Sequence, residues 1–225
     1  MSVKVLEREM YSEAGAARLL GLPQRTLNYW LEGGERRGRS YRPIIRSEPK
    51  GSGASVTWAE FIEAGLLREY RRIHRVPMTE LRYFVDMIRD RFGVPYPLAD
   101  RQPFVSGREL VLQAQDEAGL DPEFCLVATV RGQLLLTPAA DSFVQRVTWV
   151  DDIAAAWRPH DDPHSPVRME PDTRFGRPAV EGISTDVLWE HSEVGESADE
   201  IADEFGIAPN DVHWALAYET SARAA

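Results

Sequence analysis

Between Pro178 and Ala222 the chain has no lysine and no arginine, against eleven carboxylates. Affinity for nucleic acid comes largely from Lys and Arg displacing phosphate counterions, so this stretch cannot by itself hold a DNA backbone. Cysteine is nearly absent too. Cys125 stands alone in the apolar run Phe124 to Ala128, which excludes an internal disulfide and a multi-cysteine zinc site, and its surroundings predict a buried core thiol. No apolar run approaches the roughly 20 residues that span a bilayer. Met1 to Met10 mix acidic and basic groups without the apolar segment of a secretory signal, so a cytoplasmic protein with no membrane contact is expected. The chain also lacks a Gly-rich phosphate loop and any nucleophile with a partnered base; no catalytic residues, no metal and no cofactor are expected. His160-Asp161-Asp162-Pro163-His164 has metal-capable side chains, but Pro163 and a linker-like setting predict a hydrated loop. Glu190, Glu193 and Glu196 read as a solvated helix end.

What is present is divided by charge. At 225 residues, with 43% hydrophobic and 28% charged residues, the chain has the composition of an ordinary globular protein and room for two small domains. The first hundred residues carry a formal charge of about +4 and the rest about −14, within a total of −10. A basic DNA reader at one end and an acidic, protein-facing module at the other are the expectation.

The pattern of residues 11 to 34 is helix, turn, helix. Ser12 is a suitable N-cap, Ala16, Leu19 and Leu20 give an inward face, and Gly21 closes the first helix. Pro23 suits the first turn of the next. There Leu27, Trp30 and Leu31 make a core stripe, and Gln24, Arg25, Asn28 and Tyr29 share the other face. From 35 to 56, Arg36, Arg37, Arg39, Arg42, Arg46 and Lys50 are interleaved with Tyr41, Ile44 and Ile45. With a turn signal at Lys50 to Gly53 and a return strand at 54–57, this reads as a basic β-hairpin, or wing. Thr57 to Glu60 is a capping box opening a helix with Phe61, Ile62, Leu66, Tyr70 and Ile73 inside, and a further helix carries Leu81, Phe84, Val85, Ile88 and Phe92. Between Phe104 and Trp149, short apolar runs at 110–112, 125–130, 134–136 and 144–150 alternate with turn residues, including an Arg131-Gly132 hairpin candidate. That segment reads as β-rich. Four prolines between Arg158 and Pro171 read as a linker, followed by three helices with a second capping box at Ser197 to Glu200.

Tyr11-Ser-Glu-Ala-x-Ala-Ala-Arg-Leu-Leu-Gly-Leu-Pro-x-x-Thr-Leu-x-Tyr-Trp30 resembles the winged helix-turn-helix of MerR-like regulators. The resemblance implies that Gln24, Arg25, Thr26, Asn28 and Tyr29 face bases or flanking phosphates. It also implies that Arg36, Arg37, Arg39, Arg42, Arg46 and Lys50 grip the backbone. Gln and Asn can bond bidentately to adenine and Arg to guanine, so the side-chain chemistry agrees. The stretch Arg174-Phe-Gly-Arg-Pro-Ala-Val-Glu-Gly-Ile-Ser-Thr-Asp-Val-Leu188, then Glu196-Ser-x-x-Glu-Ile-Ala-x-Glu-Phe-Gly-Ile207 and Val212-x-x-Ala-Leu-x-Tyr218, resembles a short bacterial domain associated with VapB-type antitoxins. It departs from the usual Gly-Thr-Arg by having Gly182-Ile183-Ser184. Together the two resemblances imply a type II antitoxin that binds operator DNA and neutralises a PIN-like ribonuclease toxin. Arg174, Arg177, Glu193, Glu196 and Glu200 are then the candidate partner contacts, and a homodimer is expected because such readers meet two half-sites. The alternative is a MerR-like regulator whose middle senses a small molecule. The expected fold is α+β: a winged helix-turn-helix domain over 1–95, a small β-rich middle over 96–157, a linker over 158–173 and an acidic tri-helical domain over 174–225.

Overall fold

The computed structural model describes residues 3–36, 38–51, 53–73, 78–101, 108–119, 127–130, 133–160 and 162–224. It is a mixture of helices and short two-stranded sheets, in keeping with the α+β expectation. The chain divides into two compact units: residues 1–145 with 149–154, and residues 146–148 with 155–225. Among the described residues no helix is long and apolar enough to cross a membrane.

The first unit begins with α1 (Val3–Leu6), β1 (Glu9–Tyr11), α2 (Glu13–Leu19) and α3 (Gln24–Glu32). Ser12 caps α2 by accepting from the Gly15 N–H at 3.1 Å. Pro23 precedes α3 as its cap residue rather than standing inside its first turn. Leu27, Trp30 and Leu31 are buried, as their spacing requires. Gly33 then ends α3 at φ 73, and only glycine fits: a Cβ there would strike the Tyr41 carbonyl oxygen and lie 2.8 Å from the Arg42 carbonyl carbon.

Next come β2 (Gly34–Arg36) and β3 (Arg39–Tyr41), paired antiparallel with Gly34 opposite Tyr41 and Arg36 opposite Arg39. The hairpin is therefore shorter than the sequence suggests. The expected return strand is β4 (Val56–Thr57), which pairs with β1, placing Thr57 opposite Glu9. The capping box at the start of α4 (Trp58–Ile73) is present: Glu60 accepts from the Thr57 N–H at 2.9 Å and Thr57 Oγ1 accepts from the Glu60 N–H at 3.3 Å. Tyr11, Trp58 and Phe61 stack in the interior, and α5 (Met78–Phe92) buries Leu81, Phe84, Val85 and Ile88.

The middle of the chain corrects the β-rich expectation. Leu110–Leu112 lies within α6 (Arg108–Ala118), and a further helix, α7 (Pro138–Arg146), follows the antiparallel pair β5 (Val127–Val130) and β6 (Gln133–Leu136). A short apolar run fits a buried helix face as well as a strand, and here helix spacing prevails, burying Val111, Ala114 and Gln115. The Gln115 amide fastens α6 to β5, donating to the Val127 carbonyl at 2.9 Å and accepting from its N–H at 3.0 Å. Val130 is opposite Gln133 in that pair; the expected turn residues Arg131 and Gly132, and Cys125, lie outside the described residues.

The unit boundary falls in the hairpin of β7 (Val147–Val150) and β8 (Ile153–Trp157). Residues 158–173, read above as a linker, are packed into the second unit. Trp157 bridges to Met169 and Arg168 to Ala179, and Val167 and Met169 are fully buried. The antiparallel β9 (Ala179–Val180) and β10 (Ile183–Ser184) lead into α8 (Thr185–Glu193), α9 (Ala198–Phe205) and α10 (Pro209–Arg223). Ser197 and Glu200 form the expected capping box, and Gly206 closes α9 in the left-handed conformation at φ 68. Val167, Val180, Leu188, Ile201, Val212 and Ala215 form the core, with Phe205 and Leu216 packed at its edge.

Candidate functional site

In the first unit α3 and the β2–β3 hairpin bring the expected DNA contacts onto adjoining segments, but not all onto the surface. Gln24 and Arg25 are exposed at the start of α3, and Thr26 is half-buried. Asn28 donates its amide to Glu13 Oε2 at 2.9 Å. Tyr29 turns inward at 9% exposure, edge-on to Tyr41 at 6.4 Å. The Arg82 guanidinium from α5 lies 5.8 Å from the Tyr29 ring centre and 5.6 Å from that of Tyr41, and donates to the Pro43 carbonyl at 3.3 Å. One arginine thus binds helix α3 and the hairpin to a common support. Tyr29, expected on the exposed face, is instead buried against Tyr41 and Arg82.

The cations of the expected wing separate in the same way. Arg39 and Arg42 are exposed. Arg36 belongs to β2, but its side chain lies outside the described residues, as does all of Arg37. Arg46 is buried, with both ends of its guanidinium committed: Nε donates to Glu60 Oε1 at 2.8 Å, one terminal nitrogen to Glu60 Oε2 at 3.0 Å and to the Ser55 carbonyl at 2.9 Å, and the other to Glu32. This corrects its assignment as a phosphate contact. Lys50, which remains partly exposed, pairs with Glu60 Oε1 at 2.9 Å, and Glu32 accepts from the Gly51 N–H at 2.8 Å. Burial pushes the Glu60 carboxyl up, but hydrogen bonds from Arg46, the Thr57 N–H and Lys50 outweigh it and hold the group below the usual carboxylate range. Burial likewise lowers Arg46, and its two glutamates more than reverse this. The network fixes segment 42–57 from inside. Interleaved charge in the sequence gave no sign of which cations were internal; the partners that decide it, Glu32, Glu60 and Arg82, lie in helices on either side.

In the second unit, the turn Arg174–Gly176 carries the expected arginines. Arg174 Nε donates to the Gly182 carbonyl at 2.7 Å, and Arg177 reaches Asp186 Oδ2 at 3.4 Å. Arg174 and Phe175 both have left-handed backbones, φ 47 and 55, and Gly176 follows at φ 71. Left-handed geometry in a non-glycine residue costs of order 1–3 kcal/mol. Phe175 nevertheless stands 84% exposed, a residue that the sequence reading passed over as part of a motif.

The acidic candidates also divide. Glu193 is exposed at the end of α8. Glu200 is occupied by the α9 cap, accepting from the Ser197 N–H at 2.8 Å, and that bond holds its carboxyl below the usual range. Glu196 meets His191 Nδ1 at 2.8 Å, which raises the imidazole above its ordinary value. Glu204 lies 3.7 Å from the same nitrogen, so His191, Glu196 and Glu204 are close enough to share a divalent ion. His191 at the end of α8 thus faces Glu196 in the turn that follows and Glu204 on α9, an ion pair whenever the imidazole is protonated. His160 packs edge-on to Trp214 at 5.4 Å, and His164 pairs with Asp162 in a local turn.

Comparison with known proteins gives this arrangement a family. No protein-family model matches the chain. It is 32% identical over 240 aligned residues to the uncharacterized protein Rv2308 of Mycobacterium tuberculosis (strain ATCC 25618 / H37Rv), an alignment covering 100% of this chain and 96% of that one. The chain belongs to the family of Rv2308. It is also 27% identical over 223 residues to "Putative antitoxin VapB45" of the same strain, with 92% of each chain covered. The crystal structure of Rv2018 from Mycobacterium tuberculosis shares its fold, with a TM-score of 0.76 at 23% identity over 94% of this chain and 98% of that one.

Proposed function

We propose that this chain is a type II antitoxin. It neutralises a PIN-like ribonuclease by direct binding and represses its own operon by binding operator DNA as a homodimer, acting by binding rather than catalysis. The observation that carries this reading is the nearly full-length relationship to a protein named as a VapB antitoxin. The charge division supports it: an acidic second unit suits a nuclease surface that must attract RNA, and the formal charge of about +4 over residues 1–100 suits DNA.

The DNA reader is the winged helix-turn-helix formed by α2, α3 and the β2–β3 hairpin. Gln24, Arg25 and Thr26 face the bases, and Arg36, Arg37, Arg39 and Arg42 face the phosphates. Asn28 and Tyr29 hold the reading helix in place through Glu13 and Arg82. Co-expression tests the proposal directly. The full chain should restore growth to cells expressing the PIN-like nuclease encoded beside it, and should silence a reporter driven by the operon's own promoter. Growth arrest that persists at saturating levels of the chain refutes the antitoxin role.

A further inference from the structure

We propose that Phe175 is the anchor by which the second unit seizes its ribonuclease, inserting its ring into an apolar socket edged by carboxylates. The partner's identity rests on the antitoxin reading; the anchor rests on the turn itself. Among the described residues Phe175, at 84%, is the most exposed of the large hydrophobic side chains. It contributes little burial to the fold, yet it occupies a position where the backbone conformation suits glycine and the residue after it is glycine. A phenylalanine held in a strained turn and away from the core serves something outside the chain.

The turn is also preorganised. The Gly176 N–H donates to the Thr173 carbonyl at 3.0 Å and the Arg177 N–H to that of Arg174 at 3.2 Å. Thr173 is held in turn by Glu170 through its hydroxyl at 2.9 Å, and the Arg174 side chain is tied to Gly182. An aromatic ring with two side-chain torsions on a fixed loop loses little freedom on docking, which is the profile of an interface hot spot. Charge selects the socket. Arg174 and Arg177 flank the ring in sequence and are the only Lys or Arg between Thr173 and Ala222; although Arg177 also reaches Asp186, its side chain stays 66% exposed, so the residues beside the ring offer cations within an acidic unit. An apolar socket lined at its mouth by Asp or Glu fits those cations; one ringed by Lys and Arg does not.

The test uses the full chain and a catalytically inactive form of the neighbouring nuclease, titrated by biolayer interferometry alongside thermal melting. Phe175→Gly should melt at or above the wild-type temperature, because it relieves the backbone, yet bind at least about 30-fold more weakly. Phe175→Tyr should bind within a few-fold of wild type. Loss of less than tenfold in Phe175→Gly, or a lower melting temperature, would overturn the anchor while leaving the antitoxin reading intact. A wild-type chain that does not bind the nuclease at all refutes that reading and, with it, the partner assigned to Phe175.

Discussion

The two units differ in how much charge they take inside. In the first, groups of both signs are taken inside: Arg46, Glu60, Glu63 and Arg82 are buried, and the ion network they build or adjoin fixes the hairpin and its approach to α3. In the second, the core of Val167, Val180, Leu188, Ile201 and Val212 is apolar and most carboxylates, such as Glu193 and Asp203, stand outside, while the buried Arg146 is held by the Arg158 and Pro159 carbonyls and the buried Glu219 by the Thr185 hydroxyl. A formal charge therefore means different things in the two places. In the acidic unit it approximates the surface that a partner meets. In the first unit, whose positive charge is confined to residues 1–100, it overstates the displayed cations, because Arg46 and Arg82 are taken up by architecture.

The comparison breaks most readily at Arg46. Arg46→Ala leaves Glu60 and Glu32 without their main partner in a buried setting, a change that typically costs about 3–5 kcal/mol. Urea unfolding should show that loss, and replacing both Arg46 and Glu60 with apolar residues should recover much of it. A loss below about 1 kcal/mol, accompanied by weaker DNA binding, would restore Arg46 to the surface.

Glu63 gives the next largest effect and a pH signature. It is fully buried in α4, with Oε1 accepting from the Leu98 N–H at 3.0 Å and, among the described residues, no hydrogen-bond partner for Oε2. Burial pushes its carboxyl up to about 8 from an ordinary 4.5, against the opposing pull of Arg89. The folded state keeps this proton where the unfolded state has released it, so the contribution is fully present below about 4.5, declines as pH rises, and is gone above about 8. Glu63→Gln keeps the acceptor but cannot ionise. It should flatten that part of the stability profile and raise stability at pH 7 by roughly 3 kcal/mol. Parallel wild-type and variant profiles between pH 5 and 8 would show that the buried carboxyl is not the source.

How much of this was legible in the sequence follows from where each signal originates. Caps and helix stripes were readable because they are local. Ser12, the Thr57–Glu60 and Ser197–Glu200 boxes, and the stripe of Leu27, Trp30 and Leu31 all depend on residues within one or two turns. The fate of Tyr29 and Arg46 was not readable, because Arg82 lies 53 residues from the one and Glu60 14 residues from the other. The prolines of 158–173 suggested a free linker, but Val167 and Met169 within it are core residues, and isolated apolar positions between prolines carry no periodicity to announce that. Phe175 was hidden for another reason: exposure of an aromatic in a left-handed turn is a fact of backbone geometry, not of pattern.

Displayed and internal cations can be told apart by salt. Arg39 and Arg42 are exposed, so Arg39→Ala with Arg42→Ala should weaken binding to operator and unrelated DNA alike, and reduce the slope of log affinity against log salt by about 2. Arg25→Ala should act differently, shifting preference among operator variants, if Arg25 faces the bases as proposed. An unchanged slope in the double variant, measured by fluorescence anisotropy across a salt series, would move the phosphate grip elsewhere in the first unit.

The smallest effect is expected from the acidic face, and its value lies in which rate it alters. Glu200 caps α9 and Glu196 holds His191, so reversing either would confuse structure with steering. Glu190 and Glu193 are exposed, and no ion pair engages them among the described residues. Glu190→Lys with Glu193→Lys changes the local charge by four units while leaving the core of α8, centred on Leu188, untouched. If these groups guide encounter with a cationic rim on the nuclease, association should slow by up to about tenfold at low salt, with dissociation nearly unchanged. The difference should fade as the Debye length shrinks to about 8 Å at physiological ionic strength and below that in added salt. Faster dissociation with unaltered association would place these glutamates inside the contact, and the acidic unit would then bind through its charge instead of being guided by it.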